Sequence, residues 1–435
     1  MMGTMVTTNS SPSLAALCPQ LHLFEREIAE QFDIVFDNHL WLKPVRFQNP
    51  LVNRHGNIQQ ARREPGVMDY YQVLGTDVHE VAVGPVHAGI IEPGHFRFQC
   101  FGEQVLHLEI SLGYQHRGIE QMILGNPPHK TLSQMEAVAG DTTIGHTLAH
   151  AMTIEALSGA TVPARAHAIR GIAMELERLA NHTGDLGAIA GDVGYLPTSS
   201  FCGRIRGDFL NMTAELCGSR FGRGLLVPGG ITFDCSQAQA VKLRDRIAIA
   251  RDELTNAVEL LWNTPSVMGR LENTGVVSEM IARDLGLVGP AARACGLNRD
   301  IRRDHPFGIY RMSHIPVVTG KTGDVYARTL VRWLEAEKSL DFIDEQLRQL
   351  PGGIYQGSTG NIAPDHVAIA LTEGWRGEVC HIAMTDSNGR FTRYKITDPS
   401  FHNWQGVAMA MRGQQISDFP LCNKSFNLSY CGFDL

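Results

Sequence analysis

Gly113-Tyr114-Gln115-His116-Arg117-Gly118-Ile119-Glu120 brings an imidazole, a guanidinium and a carboxylate into one short run. The run lies where two alternating segments give way to the first helical pattern. These groups therefore gather at a helix mouth, whose free N–H groups favour developing negative charge and suit contact with an anion or a quinone oxygen. A salt-bridged structural turn accounts for the same residues equally well. His146 and His150 lie four apart and share a helix face, as zinc-ligating pairs do. No acidic residue stands between them in the H-E-x-x-H manner, so packed or cavity-lining histidines are favoured over a zinc hydrolase. Gly320-Lys321-Thr322 looks like the end of a phosphate-binding loop, but Ile315 stands where that loop needs glycine, and no G-x-G-x-x-G follows a strand. The nine cysteines fall at 18, 100, 202, 217, 235, 295, 380, 422 and 431, with no C-x-x-C among them.

The elements that must position these groups follow from periodicity. Leu21, Phe24, Ile28 and Phe32 recur at the spacing of an amphipathic helix with one buried face, and the helix also carries charges at Glu25, Arg26, Glu27 and Glu30. His95 to Phe101 and Gln104 to Ser111 alternate around Gly102-Glu103, the signature of a two-residue hairpin. From Arg117 to about Leu350 helical signals dominate. Arg117 to Leu124 is a short helix stopped by Gly125-Asn126-Pro127-Pro128, and Ser133 with Glu136 has capping-box spacing. Pro163 opens a long helix, and further helices are expected at Arg204 to Phe221, Ser236 to Leu261 and Asp324 to Leu350. Helices this long and one-sided pack as a bundle. Strands return at Glu378 to Met384 and Arg390 to Ile396 around Asn388-Gly389, and His402 to Met411 is a last helix. Residues 1–13 read as disordered, and 14–66 as a short module and linker ahead of a main body spanning 67–435.

The 435 residues suffice for one large domain or several smaller ones. A hydrophobic share of 43% with 19% charged residues is globular, and a net charge of -7 argues against a nucleic-acid binder. No apolar run reaches the roughly 18 residues of a membrane span, and the start lacks the regions of a signal peptide, so a cytoplasmic, peripherally attached chain with free thiols is expected.

The run from Gly84-Pro85-Val86-His87 to Glu120, with Glu92-Pro93-Gly94-His95-Phe96 inside it, resembles the large subunits of energy-converting nickel-iron hydrogenases of the formate hydrogenlyase type. More distantly it is similar to the 49-kDa subunit of respiratory complex I. The resemblance continues through Val162-Pro163-Ala164-Arg165-Ala166, Glu175-Leu176-Glu177-Arg178-Leu179, Arg303-Asp304-His305-Pro306-Phe307 and Met411-Arg412-Gly413, and so covers most of residues 78 to 435. Residues 21 to 47 look like the end of a 30-kDa-type subunit, which the formate hydrogenlyase type likewise carries fused ahead of its large subunit.

What the resemblance implies is limited by where the sequence departs from it. The hydrogenases hold nickel and iron with two C-x-x-C pairs. Here the first pair falls on Ala139 and Thr142, the second on Ser429 and Gly432, and Cys431 is one position out of register. A methyl, two hydroxyls and a hydrogen do not replace four thiolates, so no metal and no hydrogen chemistry is expected. The sequence stops a few residues past the second pair, so the tail that many metal-loaded relatives lose on maturation is not expected either. In the complex I subunit a His of the H-R-G motif and a Tyr hold the quinone headgroup. His116 matches the first, while the Tyr position falls on Ala137, a loss worth about 1–3 kcal/mol for one hydrogen bond.

The expected fold is α+β, with a helical-bundle core and small antiparallel sheets, as in the hydrogenase large subunits. The expected role is that of a peripheral-arm subunit at the cytoplasmic face of the inner membrane, in a quinone-type oxidoreductase complex linked to NAD(P)H or formate. Its partners would be an iron-sulfur subunit carrying the cluster and membrane antiporter-like and anchor subunits, with no nucleic acid. His116 and Arg117 would touch a quinone, Asp141, Thr142, Asp304 and His305 would line the emptied, wet metal cavity, and Glu120, Asp141, His146 and His305 would relay protons. The alternative is a non-catalytic structural or assembly subunit.

Overall fold

A computed structural model of the chain describes residues 9–51, 64–89, 91–126 and 130–435. Four long helices, Ala164–Asp192, Leu196–Cys217, Gln237–Trp262 and Val325–Arg348, each pack on the next and close a ring. Two of their starts carry side-chain caps. Ser236 and Gln239 form a reciprocal capping box, and the Asp324 side chain accepts from the Ala327 N–H. The ring encloses the largest apolar core, around Ile172, Leu176, Phe209, Leu254, Leu340 and Phe342.

A three-stranded antiparallel sheet of β3 (Val78–Val83), β4 (His95–Phe101) and β5 (Gln104–Ser111) precedes the bundle. Gly102 turns the hairpin at φ +57, a conformation that strains residues with a Cβ, and β5 delivers the chain to His116. A second such sheet, β8 (Val367–Gly374), β9 (Gly377–Thr385) and β10 (Phe391–Thr397), has the helix Thr143–Ser158 laid across one face. The helix Pro399–Ala410 follows β10 directly, and two short pairs, β1 (Ser10–Pro12) with β2 (Val35–Asp37) and β6 (Leu226–Val227) with β7 (Gly230–Ile231), complete the strands among the described residues.

Several local expectations give way. Residues 1–8 and most of the predicted linker lie outside the described residues, but Ser10–Pro12 (β1) pairs in parallel with Val35–Asp37 (β2), so the first thirteen residues are not disordered throughout. The helix His22–Phe32 forms, yet its charged positions are among its most buried: Glu25, Arg26, Glu27 and Glu30 are buried, Ile28 is exposed, and Leu21, Phe24 and Phe32 are only partly covered. The charged face wins because each charge has a waiting partner. Glu25 accepts from the Ser13 hydroxyl and the Leu14 N–H, Arg26 donates to the Lys43 and Pro44 carbonyls, Glu27 meets Arg46 and Lys395, and Glu30 takes the Arg46 N–H. Ser133 and Glu136 form no capping box; the Glu136 carboxylate accepts from the Gly224 N–H instead.

The bundle interior also holds a fully buried charge network. Glu175 accepts from Arg178 (3.0 Å), Arg302 (3.1 Å), the Tyr310 hydroxyl (2.7 Å) and the Ser339 hydroxyl (2.6 Å). Burial alone would raise its pKa, but Arg178 and Arg302 hold the carboxyl down to about 2 from an ordinary 4.5. The unfolded chain therefore binds the extra proton between these values, and stability is lost as pH falls through that window. The difference is worth about 3 kcal/mol. Urea midpoints taken at about pH 5 and about pH 3 are expected to fall steeply for the native chain and less steeply for Glu175→Gln; equal slopes would remove Glu175 from the acid response.

Candidate functional site

The two segments that the resemblance sets at metal-ligand positions meet. Arg117 bridges them, donating to the Ala137 carbonyl (2.5 Å), the Val138 carbonyl (2.8 Å) and the Cys431 carbonyl (3.2 Å). The space between them is not an emptied cavity. Arg376 fills it, with its Nη1 at 2.6 Å and Nη2 at 2.7 Å from the Asp141 carboxylate, its Nη1 at 3.3 Å from the Thr142 hydroxyl and its Nε at 2.6 Å from the Asn427 carbonyl. The Trp375 ring lies 3.9 Å from the same guanidinium and donates its indole N–H to the Asp141 carbonyl. Burial works against ionisation of Asp141, but Arg376 overcomes it and keeps the pKa below the usual range. This arrangement does not fit nickel or iron: a cation already neutralises the carboxylate, and Ala139, Thr142, Ser429 and Gly432 offer no thiolate. Among the described residues no group of three or more His, Cys, Asp or Glu side chains is placed to hold a metal ion.

Asp304 and His305 do not line this site, contrary to expectation. The short helix Ile301–Asp304 packs on β8 with Ile301 and Arg302 inward, so Asp304 and His305 are left exposed. Asp304 pairs with Arg303 at 2.7 Å and accepts from the Asp300 N–H at 3.0 Å.

His116 and Glu120 border one small pocket. The His116 Nδ1 donates to the Asp434 carbonyl at 2.9 Å, and its Nε2 has no hydrogen-bond partner among the described residues. The half-buried ring borders an open cleft of about 790 Å³ shared with Arg46, Gln48, Pro50, Glu64 and Gly113; residues 52–63, which join two of its walls, lie outside the described residues. Glu120 accepts from Lys395 Nζ (3.0 Å) and the Ile396 N–H (2.9 Å). Burial opposes its ionisation, while Lys395 and Arg46 hold its pKa below the ordinary value.

His146 and His150 are wholly buried, and their partners were not foreseen. The His146 Nε2 is 2.9 Å from Asp398 Oδ2, and its Nδ1 is 3.1 Å from His381 Nε2. The His381 Nδ1 is 2.9 Å from the Tyr394 hydroxyl, which is 2.7 Å from His150 Nδ1, and His150 Nε2 is 2.7 Å from the Thr131 hydroxyl. Local structure fixes each member. Glu177 receives the Ile144 and Gly145 N–H groups and so seats the helix that carries both histidines. Asp398 caps the helix Pro399–Ala410 through the Ser400 N–H (2.8 Å). Burial drives the pKa of His150 down to about 3; burial, with His146 and His150 nearby, drives that of His381 well below its ordinary value. His381, Tyr394 and Asp398 carried no motif spacing. Their one sequence signal was alternation, since His381 falls in step with Val379 and Ala383 on an apolar face.

Comparison with known proteins places this geometry. The family model described as the respiratory-chain NADH dehydrogenase 49-kDa subunit matches residues 192–368 and 356–434. The carbon monoxide-induced hydrogenase of Rhodospirillum rubrum is 30% identical over 356 residues, covering 80% of this chain and 97% of its own. Formate hydrogenlyase subunit 5 of Escherichia coli is 29% identical over 431 residues, 96% of this chain and 76% of its own. NADH-quinone oxidoreductase subunit 4 of Thermus thermophilus is 28% identical over 372 residues, 79% and 91% respectively. A chain in the structure of the membrane-bound sulfane sulfur reductase, an archaeal respiratory membrane complex, superposes with a TM-score of 0.78 at 23% identity, covering 84% of this chain and 100% of that one, and so shares its fold.

Proposed function

The chain belongs to the family of the 49-kDa subunit of the respiratory-chain NADH dehydrogenase, and from that premise we propose that it is a peripheral-arm subunit of a membrane oxidoreductase complex that couples electron transfer to ion translocation without nickel-iron chemistry. An iron-sulfur subunit would bring electrons to the His116 cleft, where a quinone or another small acceptor would be reduced, and membrane subunits would carry the ion. The complex would sit at the cytoplasmic face of the membrane. Among the described residues no helix is long and apolar enough to cross a membrane, so attachment would run through those partners.

One observation supports this reading: Arg376 is tied up with Asp141 and the Asn427 carbonyl, while among the described residues the His116 Nε2 has no hydrogen-bond partner and borders a cleft. The residue that can still meet a substrate oxygen is therefore the histidine and not the metal-site remnant. The closed site also supports a second reading, a structural or assembly subunit that kept the shape alone.

His116→Ala, in the complex purified through this chain, separates the two. Electron transfer to a soluble quinone analogue is expected to fall by about a hundredfold or more with the subunit composition unchanged. Full turnover in an intact complex would leave the assembly role.

A further inference from the structure

We propose that the buried row Thr131, His150, Tyr394, His381, His146 and Asp398 is a proton path that crosses the interior and ends beside the turn that holds His116. All six side chains are essentially without solvent contact, and five consecutive separations of 2.7, 2.7, 2.9, 3.1 and 2.9 Å join them without a gap. A row of three imidazoles, a phenol and a carboxylate is a costly thing to bury if packing were its only task, because each polar atom must find a partner.

The proton inventory shows what it can do. Asp398, held ionised by His146 and by Arg376 against the effect of burial, only accepts. With neutral imidazoles the order then follows step by step. The His146 Nε2–H points to Asp398, its Nδ1 accepts from His381 Nε2–H, and His381 Nδ1 accepts the Tyr394 O–H. Tyr394 in turn accepts from His150 Nδ1–H, and His150 Nε2 accepts the Thr131 O–H. Thr153, the other hydroxyl beside Tyr394, donates to the Ala149 carbonyl (2.9 Å). Every link thus holds one proton, and all donors face the same way. A proton arriving on the Thr131 oxygen displaces one across each link in turn: five O–H or N–H bonds break, five form on the next member, and the Asp398 carboxylate gains one proton. No imidazole ends charged, and no electrons move.

Thr131 adjoins the exposed Lys130. At the other end, a Cβ added at Gly432 would lie 2.7 Å from the Asp398 Cγ, so that carboxylate presses on the Tyr430–Asp434 turn, whose Asp434 carbonyl anchors His116. Only the proton's destination rests on the function proposed above; the row itself does not.

The full-length chain carrying ¹⁵N-histidine, with signals assigned by single His→Gln substitutions, is expected to show one tautomer per site: Nε2–H at His146 and His381, and Nδ1–H at His150. Mixed tautomers at His381 and His150 would overturn the ordered row. In the complex, in sealed vesicles, Tyr394→Phe removes the central hydroxyl while keeping the ring, and is expected to lower proton uptake per electron by about tenfold while uncoupled electron transfer changes by less than about twofold. Electron transfer that depends on His116 together with proton uptake indifferent to Tyr394 overturns the path and spares the function. Electron transfer indifferent to His116 overturns the function and leaves the path to the tautomers.

Discussion

Arg293→Ala is expected to lower the unfolding free energy by about 3–5 kcal/mol, because it removes the cation that two buried carboxylates share. The Arg293 side chain is wholly buried; its Nε lies 2.7 Å from Glu335 and its Nη1 2.8 Å from Glu373, both of them buried as well. Lysine restores the charge but not the planar fork that reaches both partners, so Arg293→Lys should recover only part of the loss. The deficit should also depend on pH. Burial and the neighbouring Asp300 already push the Glu373 carboxyl up to about 7 while Arg293 opposes them. Without Arg293 the folded state would hold that proton at higher pH, where the unfolded state has released it, so stability falls as pH rises. Urea midpoints of the variant should lie nearer the parent at about pH 6 than at about pH 8.5. A constant gap would mean that Glu373 is not the group left exposed to the change.

Arg46→Ala should act on a different seam. Arg46 is buried between Glu27 of the first helix and the Phe433 carbonyl (2.8 Å), with its guanidinium over the Phe401 ring at 5.1 Å. Its removal breaks a buried ion pair and a stacking contact together, a loss of about 3–5 kcal/mol. The loss is expected to be local first, because several of the contacts between residues 9–51 and the body are charged or polar ones of this kind. Limited proteolysis should therefore cut within residues 9–51 well before the bundle unfolds. Digestion at the parental rate, with the body equally stable, would sink this account.

These two arginines also mark where sequence reading stopped. The hairpin at Gly102-Glu103 and the capped helices after Ser236 and Asp324 were legible because their signals are local: a positive φ, a side chain reaching back three residues, a repeat of 3.6. The helix starting at Leu196 was expected only from Arg204, since Leu196-Pro197 opens it without a side-chain cap. The buried face of His22–Phe32 was misassigned because periodicity assumes that charge seeks water, whereas here the partners wait up to some 370 residues away, as Glu27 and Lys395 show. The candidate site divides in the same way. His116, Glu120, Asp141 and His146 were found through motif position. His381 and Tyr394 come from strands, Arg376 from the turn between β8 and β9 and Asp398 from a helix cap, all more than two hundred residues distant from the partners they meet, a separation that no local rule spans.

The single direction of the buried row sets a rhythm. Once one proton has crossed, every donor faces backward, and the same links cannot pass a second in that sense until each group has turned or exchanged its hydrogen. Hydroxyls turn easily, but three imidazoles clamped on both nitrogens do not. Such a row works as a ratchet tooth: it releases its load in single doses, resists idle leakage between them, and ties the pace of delivery to whatever event resets the rings.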